Sequence, residues 1–106
     1  MRNAVTKIVD PIHPGTFLRI ELMEPLQLSQ HGLAKATGLP TSRINQIVLG
    51  RRSISAETDL RLCRYFGLSH GYFLRWQATY DQQIAERDLG DLINKEVVPR
   101  ELVKVA

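Results

Sequence analysis

The length, composition and charge of the chain exclude several classes of protein before any motif is considered. Its 106 residues suit one domain, and a hydrophobic fraction of 43% is sufficient for a single compact core. No apolar run approaches the roughly 20 residues that a membrane-spanning helix needs, and the first residues lack the apolar stretch of a signal peptide. We therefore expect a soluble, cytoplasmic protein that makes no contact with a membrane.

Cysteine and histidine are too sparse for redox, metal or nucleophilic chemistry. Cys63 is the only cysteine and cannot form a disulfide within the chain, and the three histidines are scattered. Neither residue type has the spacing of a metal site. No grouping of residues suggests a nucleophile with a base within hydrogen-bond reach. We accordingly expect no enzyme activity, no metal ion and no cofactor.

The positive charge is concentrated in the middle of the chain. The net charge of +3 is modest, but no Asp or Glu occurs between Glu24 and Glu57. Residues 29–64 contain six basic and two acidic side chains. Such a concentration indicates a face that binds anions, and the phosphate backbone of nucleic acid is the commonest partner of such a face.

The N-terminal part of the chain is predicted to hold an arm and a first helix. Residues 1–12 have no clear period and include Asp10-Pro11, which favours an extended or loose arm. Pro14 suits the first position of a helix, and apolar residues then recur at helical spacing up to Met23. Pro25 is expected to end this helix.

Two short helices separated by a glycine are predicted next. Ser29 is a good N-cap for a helix over residues 30–36, which ends at Gly38 because glycine adopts a positive φ without penalty. A third helix follows over residues 41–49 and is closed by Gly50. A helix-turn-helix requires two short helices joined by a tight turn, with a small side chain where the helices approach. The glycine turn and Ala34 meet this requirement.

The remainder of the chain is predicted to form two more helices and a tail. Ser55 caps a fourth helix that ends at Gly67. Ser69 is expected to cap a fifth, whose apolar residues recur every three or four positions up to about Arg87. The valines of the tail would suit a short strand. The expected division is an arm at 1–12, a helix-turn-helix domain at 13–87 and a C-terminal extension at 88–106.

The third helix is rich in short polar side chains. Side chains of this kind donate and accept hydrogen bonds at the edges of bases, and an acid there would be repelled by phosphate. The predicted base-reading residues are Thr41, Ser42, Arg43, Asn45 and Gln46. Arg51 and Arg52 follow the helix, where cations contact phosphates and fix register without reading sequence. Arg43 could reach either a base or a phosphate.

The same short amphipathic helices would also suit a plain helical bundle with solvated arginines. The interval without acids, the glycine turn and the polar third helix together favour DNA binding.

The fifth helix carries aromatic residues, among them Trp76 and Tyr80, at helical spacing. We interpret this stripe as packing in the core or between subunits. The predicted dimer interface consists of Trp76, Tyr80 and Asp81. Tyr80 and Asp81 would form either a buried hydrogen-bonded pair or a contact across a two-fold axis.

Several separated motifs resemble a known family. Residues 28–66 are similar to the lambda-repressor-like, or XRE-type, helix-turn-helix domains. A longer set is similar to the HigA antitoxins, namely His13-Pro14-Gly15, Leu28-Ser29, Gly50-Arg51-Arg52, Thr58 and residues 43–47, 62–67 and 74–81. The chain departs from the family at Trp76, which occupies a leucine position, and at Asp59, which stands where alanine is common.

The resemblance implies an all-α, five-helix lambda-repressor-like DNA-binding domain with a helix-turn-helix and short terminal extensions. It also implies a homodimer that represses its own toxin-antitoxin operon and neutralises a HigB-type, RNA-cleaving toxin. The family's DNA contacts fall on the polar residues of the third helix and on Gln30, with Arg51 and Arg52 near phosphates. Gln30 is grouped with the phosphate-binding residues.

Two other functions remain open from the sequence. A stand-alone transcriptional regulator without a toxin would use the same DNA-binding unit, and only the neighbouring gene would distinguish it. A helical adaptor that binds proteins through Trp76 and Tyr80 would retain no DNA. Toxin binding is assigned by elimination to the terminal segments, because the arm and residues 88–106 lie outside the DNA-reading unit and the valines could add a strand to a partner sheet.

Overall fold

A computed structural model describes residues 10–101, and within them the chain forms five helices and no strand. The helices are α1, an α-helical turn at Pro14–Phe17 continued as a π-helix at Leu18–Met23; α2, Gln30–Thr37; α3, Thr41–Val48; α4, Ala56–Phe66; and α5, Tyr72–Glu96. The predicted all-α class is confirmed. None of these helices has the length and apolar character needed to cross a bilayer. Most of the predicted arm and the valines at 103 and 105 lie outside the described residues.

Local signals explain where α2 and α4 begin and where α2 ends. The side chain of Ser29 accepts a hydrogen bond from the backbone N–H of Gly32 at 2.9 Å, and Ser55 accepts one from Thr58 at 3.3 Å. Each bond satisfies a backbone donor that the first turn of a helix leaves free. Gly38 ends α2 at φ 75°, a left-handed conformation that favours glycine. The predicted caps of α2 and α4 and the glycine turn are confirmed.

The core lies where α1 to α4 meet the first half of α5. Its most deeply buried apolar residues are Leu18, Leu33, Ile44, Ile47, Leu62, Cys63 and Phe73. Fully burying a side chain of the larger kind contributes about 1.5–3 kcal/mol. In α3 the three apolar residues predicted to face inward, Ile44, Ile47 and Val48, are all buried. Their burial fixes the rotation of α3 about its axis and leaves its polar side outward.

The start of α5 differs from the prediction. Ser69 does not cap the helix, because the N-cap is Gly71 at φ 91°, and this residue has no side chain with which to cap. The carboxylate of Asp59 in α4 takes that role. It accepts hydrogen bonds from the backbone N–H groups of Gly71, Phe73 and Leu74 at 2.7, 2.8 and 3.1 Å. Since this cap comes from another helix, the sequence around Ser69 does not reveal it.

The end of α5 also differs from the prediction. The helix continues to Glu96, past the expected end near Arg87 and across the boundary proposed at residue 88. Val97 and Val98 follow it without forming a strand. Valine favours a strand where a neighbouring strand can pair with it, and the described residues include none. The predicted helix end is wrong, and so is the predicted strand as far as the described part of the tail extends.

Candidate nucleic-acid interface

α3 presents most of the predicted base-reading residues to solvent. Thr41, Ser42, Asn45 and Gln46 are exposed, whereas Arg43 is half-buried. These four positions follow one another at intervals of one and three residues, so they share one side of the helix. The opposite side is held in the core. Four of the five predicted base-reading residues therefore lie on one exposed face of α3.

Two hydrogen bonds connect this face to residues predicted to contact phosphate. Nδ2 of Asn45 donates to Oε1 of Gln30 at 3.1 Å, and Arg52 donates to Oε1 of Gln46 at 3.4 Å. The start of α2 and the turn after α3 thus flank this polar face of α3. Asn45 keeps its carbonyl oxygen and one amide hydrogen available, and this pair of groups matches the major-groove edge of adenine.

The arginines of this region differ in their surroundings. Arg51 and Arg52 are exposed, and neither is among the ion pairs formed within residues 10–101. Exposed cations without an acidic partner suit contacts with phosphate oxygens. Arg43 is different, because its Nε is enclosed and has no hydrogen-bond partner among the described residues. Arg43 as a whole is half-buried, and its contact with DNA stays a prediction.

The position of α3 depends on a glycine in α1. A Cβ added to Gly15 would lie 1.7 Å from the carbonyl oxygen of Ile47, in the last turn of α3. The two backbones therefore meet more closely than any side chain allows. Nδ1 of His13 accepts a hydrogen bond from the backbone N–H of Gly15 at 2.8 Å, and Pro14 occupies the first helical position. The His-Pro-Gly motif thus docks α1 against α3, a role that the sequence reasoning did not assign.

We expect acid to weaken this docking. Burial lowers the pKa of His13 below its ordinary value of 6.5, although the charge of Asp81 acts in the opposite direction. The neutral ring accepts the bond from Gly15, and the folded protein therefore binds a proton at His13 less readily than the unfolded chain. The stability that this group contributes is present above about pH 6.5 and is lost as the pH falls through the folded pKa.

Thermal unfolding at a series of pH values between about 7.5 and 5 measures this effect. His13→Asn supplies a side chain that caps well and does not titrate in this range. Its unfolding temperature should fall less on acidification than that of the unchanged protein. Parallel pH profiles for the two proteins would contradict the role of His13.

Two residues predicted to form a dimer interface have partners within the chain. Nε1 of Trp76 donates to the backbone oxygen of Ile12 at 2.9 Å, and its ring centre lies 4.4 Å from that of Phe17. The ring of Tyr80 meets His13 edge-on, with ring centres 5.0 Å apart. Trp76 and Tyr80 therefore fasten α5 to α1 and to the segment that precedes it.

A buried glutamine links α5 to the loop after α3. Oε1 of Gln77 accepts from the backbone N–H of Ile54 at 2.9 Å, and its Nε2 donates to Asp81 at 3.0 Å. Asp81 is exposed and bonds to Gln77, whereas Tyr80 contacts His13. The hydrogen-bonded pair of Tyr80 and Asp81 considered above does not form, and their contact across a two-fold axis stays a prediction.

Cys63 behaves as a small buried side chain. Burial raises the pKa of its thiol, and its Sγ lies 3.5 Å from Oδ1 of Asp59. The thiol is therefore protonated near neutral pH, whereas a nucleophilic cysteine requires the thiolate. The described residues bring together no cluster of three potential metal ligands.

The helix-turn-helix arrangement of α2 and α3 is also found by comparison with known families. Residues 20–73, about half of the chain, match the helix-turn-helix family. The chain belongs to this family, in its XRE-type branch.

Within the family, its similarity is to HigA antitoxins. An addiction module antidote protein of the HigA family from Coxiella burnetii is 41% identical, with a TM-score of 0.82 over 87% of this chain and 100% of that one. The Pseudomonas aeruginosa antitoxin HigA, solved with the higBA promoter, is 36% identical, with a TM-score of 0.81 over 84% of this chain and 97% of that one. Virulence-associated protein I of Dichelobacter nodosus is 51% identical over 77 residues, which are 73% of this chain and 71% of that protein. The resemblance inferred from the motifs is confirmed.

Proposed function

We propose that the protein is a sequence-specific DNA-binding antitoxin. It acts as a homodimer, represses its own toxin-antitoxin operon and neutralises a HigB-type, RNA-cleaving toxin. The observation that carries the proposal is the exposed polar face of α3, flanked by Gln30 on one side and by Arg51 and Arg52 on the other. The likeness to an antitoxin that was solved with promoter DNA supports the same conclusion.

Base recognition is assigned to α3 and phosphate contact to its flanks. In a helix-turn-helix the second helix enters the major groove, where each base pair has a distinct pattern of donors and acceptors. The proposed readers are Thr41, Ser42, Arg43, Asn45 and Gln46. Gln30, Arg51 and Arg52 hold the protein in register on the backbone. In a dimer, two copies of α3 lie about one turn of B-DNA, roughly 34 Å, apart, so the operator is expected to be palindromic.

Removing the flanking cations is expected to weaken DNA binding without changing its sequence preference. Arg51→Ala and Arg52→Ala each remove a phosphate contact, which carries no base information. Each lost contact should reduce the slope of log affinity against log salt by about 0.9. Fluorescence anisotropy at several salt concentrations, on operator and scrambled duplexes, measures both quantities.

Arg19→Ala is the matched control, because Arg19 lies in α1 and is paired with Glu24 at 2.8 Å. Its salt slope should equal that of the unchanged protein. If Arg51→Ala and Arg52→Ala kept the full salt slope, the assignment of these residues to phosphate would be wrong.

The antitoxin activity is tested by co-expression with the product of the neighbouring gene. We expect that product to arrest growth when expressed alone, and this protein to relieve the arrest and co-purify with it. A neighbouring product that is neither bound nor neutralised would overturn the toxin-binding half of the proposal. The stand-alone regulator would then be the better description, because DNA recognition by α3 requires no toxin.

Toxin contact is proposed for the terminal segments. Val97 and Val98 are exposed by 61% and 79% and follow the end of α5, where an extended segment can add a strand to a partner's sheet. A deletion that begins at residue 88 would shorten α5, so the better variant ends at Glu96. We expect the loss of residues 97–106 to weaken toxin capture and to leave operator affinity unchanged. Equal toxin capture by the truncated protein would place the contact elsewhere.

A further inference from the structure

Three of the six basic residues between positions 29 and 64 have no place in the interface described above. Lys35, Arg61 and Arg64 are all exposed. Arg61 is engaged within the chain, since it bonds to Glu57 and to the backbone oxygen of Thr37, each at 3.0 Å. Lys35 and Arg64 form no ion pair within residues 10–101. These two exposed cations are therefore available to a partner.

Lys35 lines an open groove between α2 and the beginning of α3, which we name the α2–α3 groove. His31 and Lys35 line it from α2, where a spacing of four residues puts them on the same side of the helix. Ala34, the turn at residues 38–40 and Thr41 complete the lining. The groove has a volume of about 590 Å³, and none of the residues that line it, all of which the structure describes, is acidic. It is therefore a surface that favours an anion.

The α2–α3 groove adjoins the predicted base-reading face of α3. Thr41 belongs to both, because it lines the groove and is one of the exposed polar residues of α3. Arg51 and Arg52 follow the other end of this helix. A helix in the major groove lies between two phosphate backbones, and α3 is about as long, roughly 12 Å, as the major groove is wide. The two ends of α3 are therefore placed to meet different parts of the backbone.

The backbone at the start of α3 adds to the positive charge of the groove. Pro40 is the N-cap of α3, and no side chain of the described residues caps the helix there. The peptide dipoles leave a partial positive charge at such an end. DNA that is read by Thr41 passes directly beside this charge and beside Lys35. An acidic protein, in contrast, has no other contact that would bring it to the groove.

We propose that the α2–α3 groove binds the phosphate backbone of the DNA that α3 reads, with Lys35 as a further phosphate-binding residue. The inference rests on the proposed function. It adds a contact at the beginning of α3 to those assigned to Gln30, Arg51 and Arg52. A contact of this kind reads no base, but it fixes how the beginning of α3 enters the major groove.

Neutralising single phosphates locates the contact. A methylphosphonate group has no charge, so a series of duplexes from the protein's own promoter, each with one replacement, identifies the phosphates that binding uses. Lys35→Ala should make at least one harmful replacement harmless, and Arg51→Ala should do the same for a different phosphate. The proposal would be overturned if Lys35→Ala changed the effect of no replacement, or only of those that Arg51→Ala also changes.

The salt dependence of binding gives a second measurement. Lys35→Ala should lower the slope of log affinity against log salt by about 0.9 and weaken binding on the order of tenfold at 0.1 M salt. Arg64→Ala is the matched control, because Arg64 is an exposed cation of α4 that lies outside the α2–α3 groove. Its slope should equal that of the unchanged protein. Equal reductions in the two variants would overturn the assignment to this groove.

An added charge tests the same contact in the opposite direction. His31→Lys places a second permanent cation in the groove and should steepen the salt slope by about 0.9. Affinity should rise for operator and scrambled duplexes alike, which damage to the fold would not produce. An affinity that does not rise would contradict the proposal, as expected if the groove served an acidic protein instead.

This proposal and the proposed function fail in different ways. An unchanged protein that binds operator and scrambled duplexes equally would overturn sequence-specific recognition, whereas the effects of Lys35→Ala and His31→Lys would still be measurable on either duplex. If both variants had no effect in a protein that prefers its operator, only the groove contact would be overturned.

Discussion

Gly15→Ala is expected to destabilise the domain by at least about 3 kcal/mol, at the upper end of what overpacking a core costs. The added Cβ would lie 1.7 Å from the carbonyl oxygen of Ile47 and 2.6 Å from its carbonyl carbon. Both atoms belong to the backbone, so no flexible side chain can move aside to make room. α1 must shift away from α3, and the contact that holds the last turn of α3 is lost.

Denaturant unfolding measures the effect on stability, and anisotropy on an operator duplex measures its consequence for binding. Operator affinity should fall with stability, because the displaced end of α3 leads directly into Arg51 and Arg52. Gly67→Ala is the matched control. It adds the same methyl group at φ 71°, where nothing lies within 4 Å, so only backbone strain of about 1 kcal/mol is expected. Equal losses in the two variants would contradict the close approach of α1 and α3.

Asp59→Ala is expected to destabilise the domain by a similar amount through a different mechanism. The carboxylate is 1% exposed and accepts hydrogen bonds from three backbone N–H groups at the start of α5. Without it these donors lose their partner in a place where Gly71 supplies no side-chain cap. A buried donor left unsatisfied costs about 1–3 kcal/mol, and the loss of the negative charge at a helix N-terminus adds to this. The total should exceed about 3 kcal/mol.

Glu57→Ala is the control for this prediction, since Glu57 lies in the first turn of the same helix and forms an exposed pair with Arg61 at 3.0 Å. Its loss should change stability by less than about 1 kcal/mol. The loss of stability of Asp59→Asn should lie between those of the two alanine variants. The side-chain oxygen of asparagine still accepts a hydrogen bond, but its NH2 group faces a backbone donor. If Asp59→Ala and Glu57→Ala had the same denaturant midpoint, the carboxylate of Asp59 would not cap α5.

Features set by residues close together in the sequence could be predicted. Ser29 and Ser55 cap helices whose first free N–H groups lie three residues away, and the glycine at 38 ends α2 through its own conformation. The burial of Ile44 and Ile47 follows from their spacing on one side of α3. The exposure of most predicted reading residues follows from the same periodicity.

Features that join distant residues could not be predicted in this way. Asp59 lies 12 to 15 residues from the N–H groups that it caps, and Asn45 lies 15 from Gln30. The close approach at Gly15 involves Ile47, which lies more than thirty residues further along the chain. Periodicity shows which side of a helix is apolar, but it does not show which neighbouring helix meets that side. The unusual position of Asp59 was visible in the sequence, whereas its partners required the fold.

Sequence-specific recognition by α3 is tested most directly by the ratio of affinities for an operator duplex from the protein's own promoter and a scrambled duplex of equal length. Each good base contact contributes about 1–3 kcal/mol of discrimination. Thr41→Ala, Ser42→Ala and Gln46→Ala together should therefore lower this ratio at least about 100-fold. The affinity for the scrambled duplex and the salt dependence should stay the same. A triple variant that keeps the full ratio would contradict base reading by α3, and so would an unchanged protein that binds both duplexes equally.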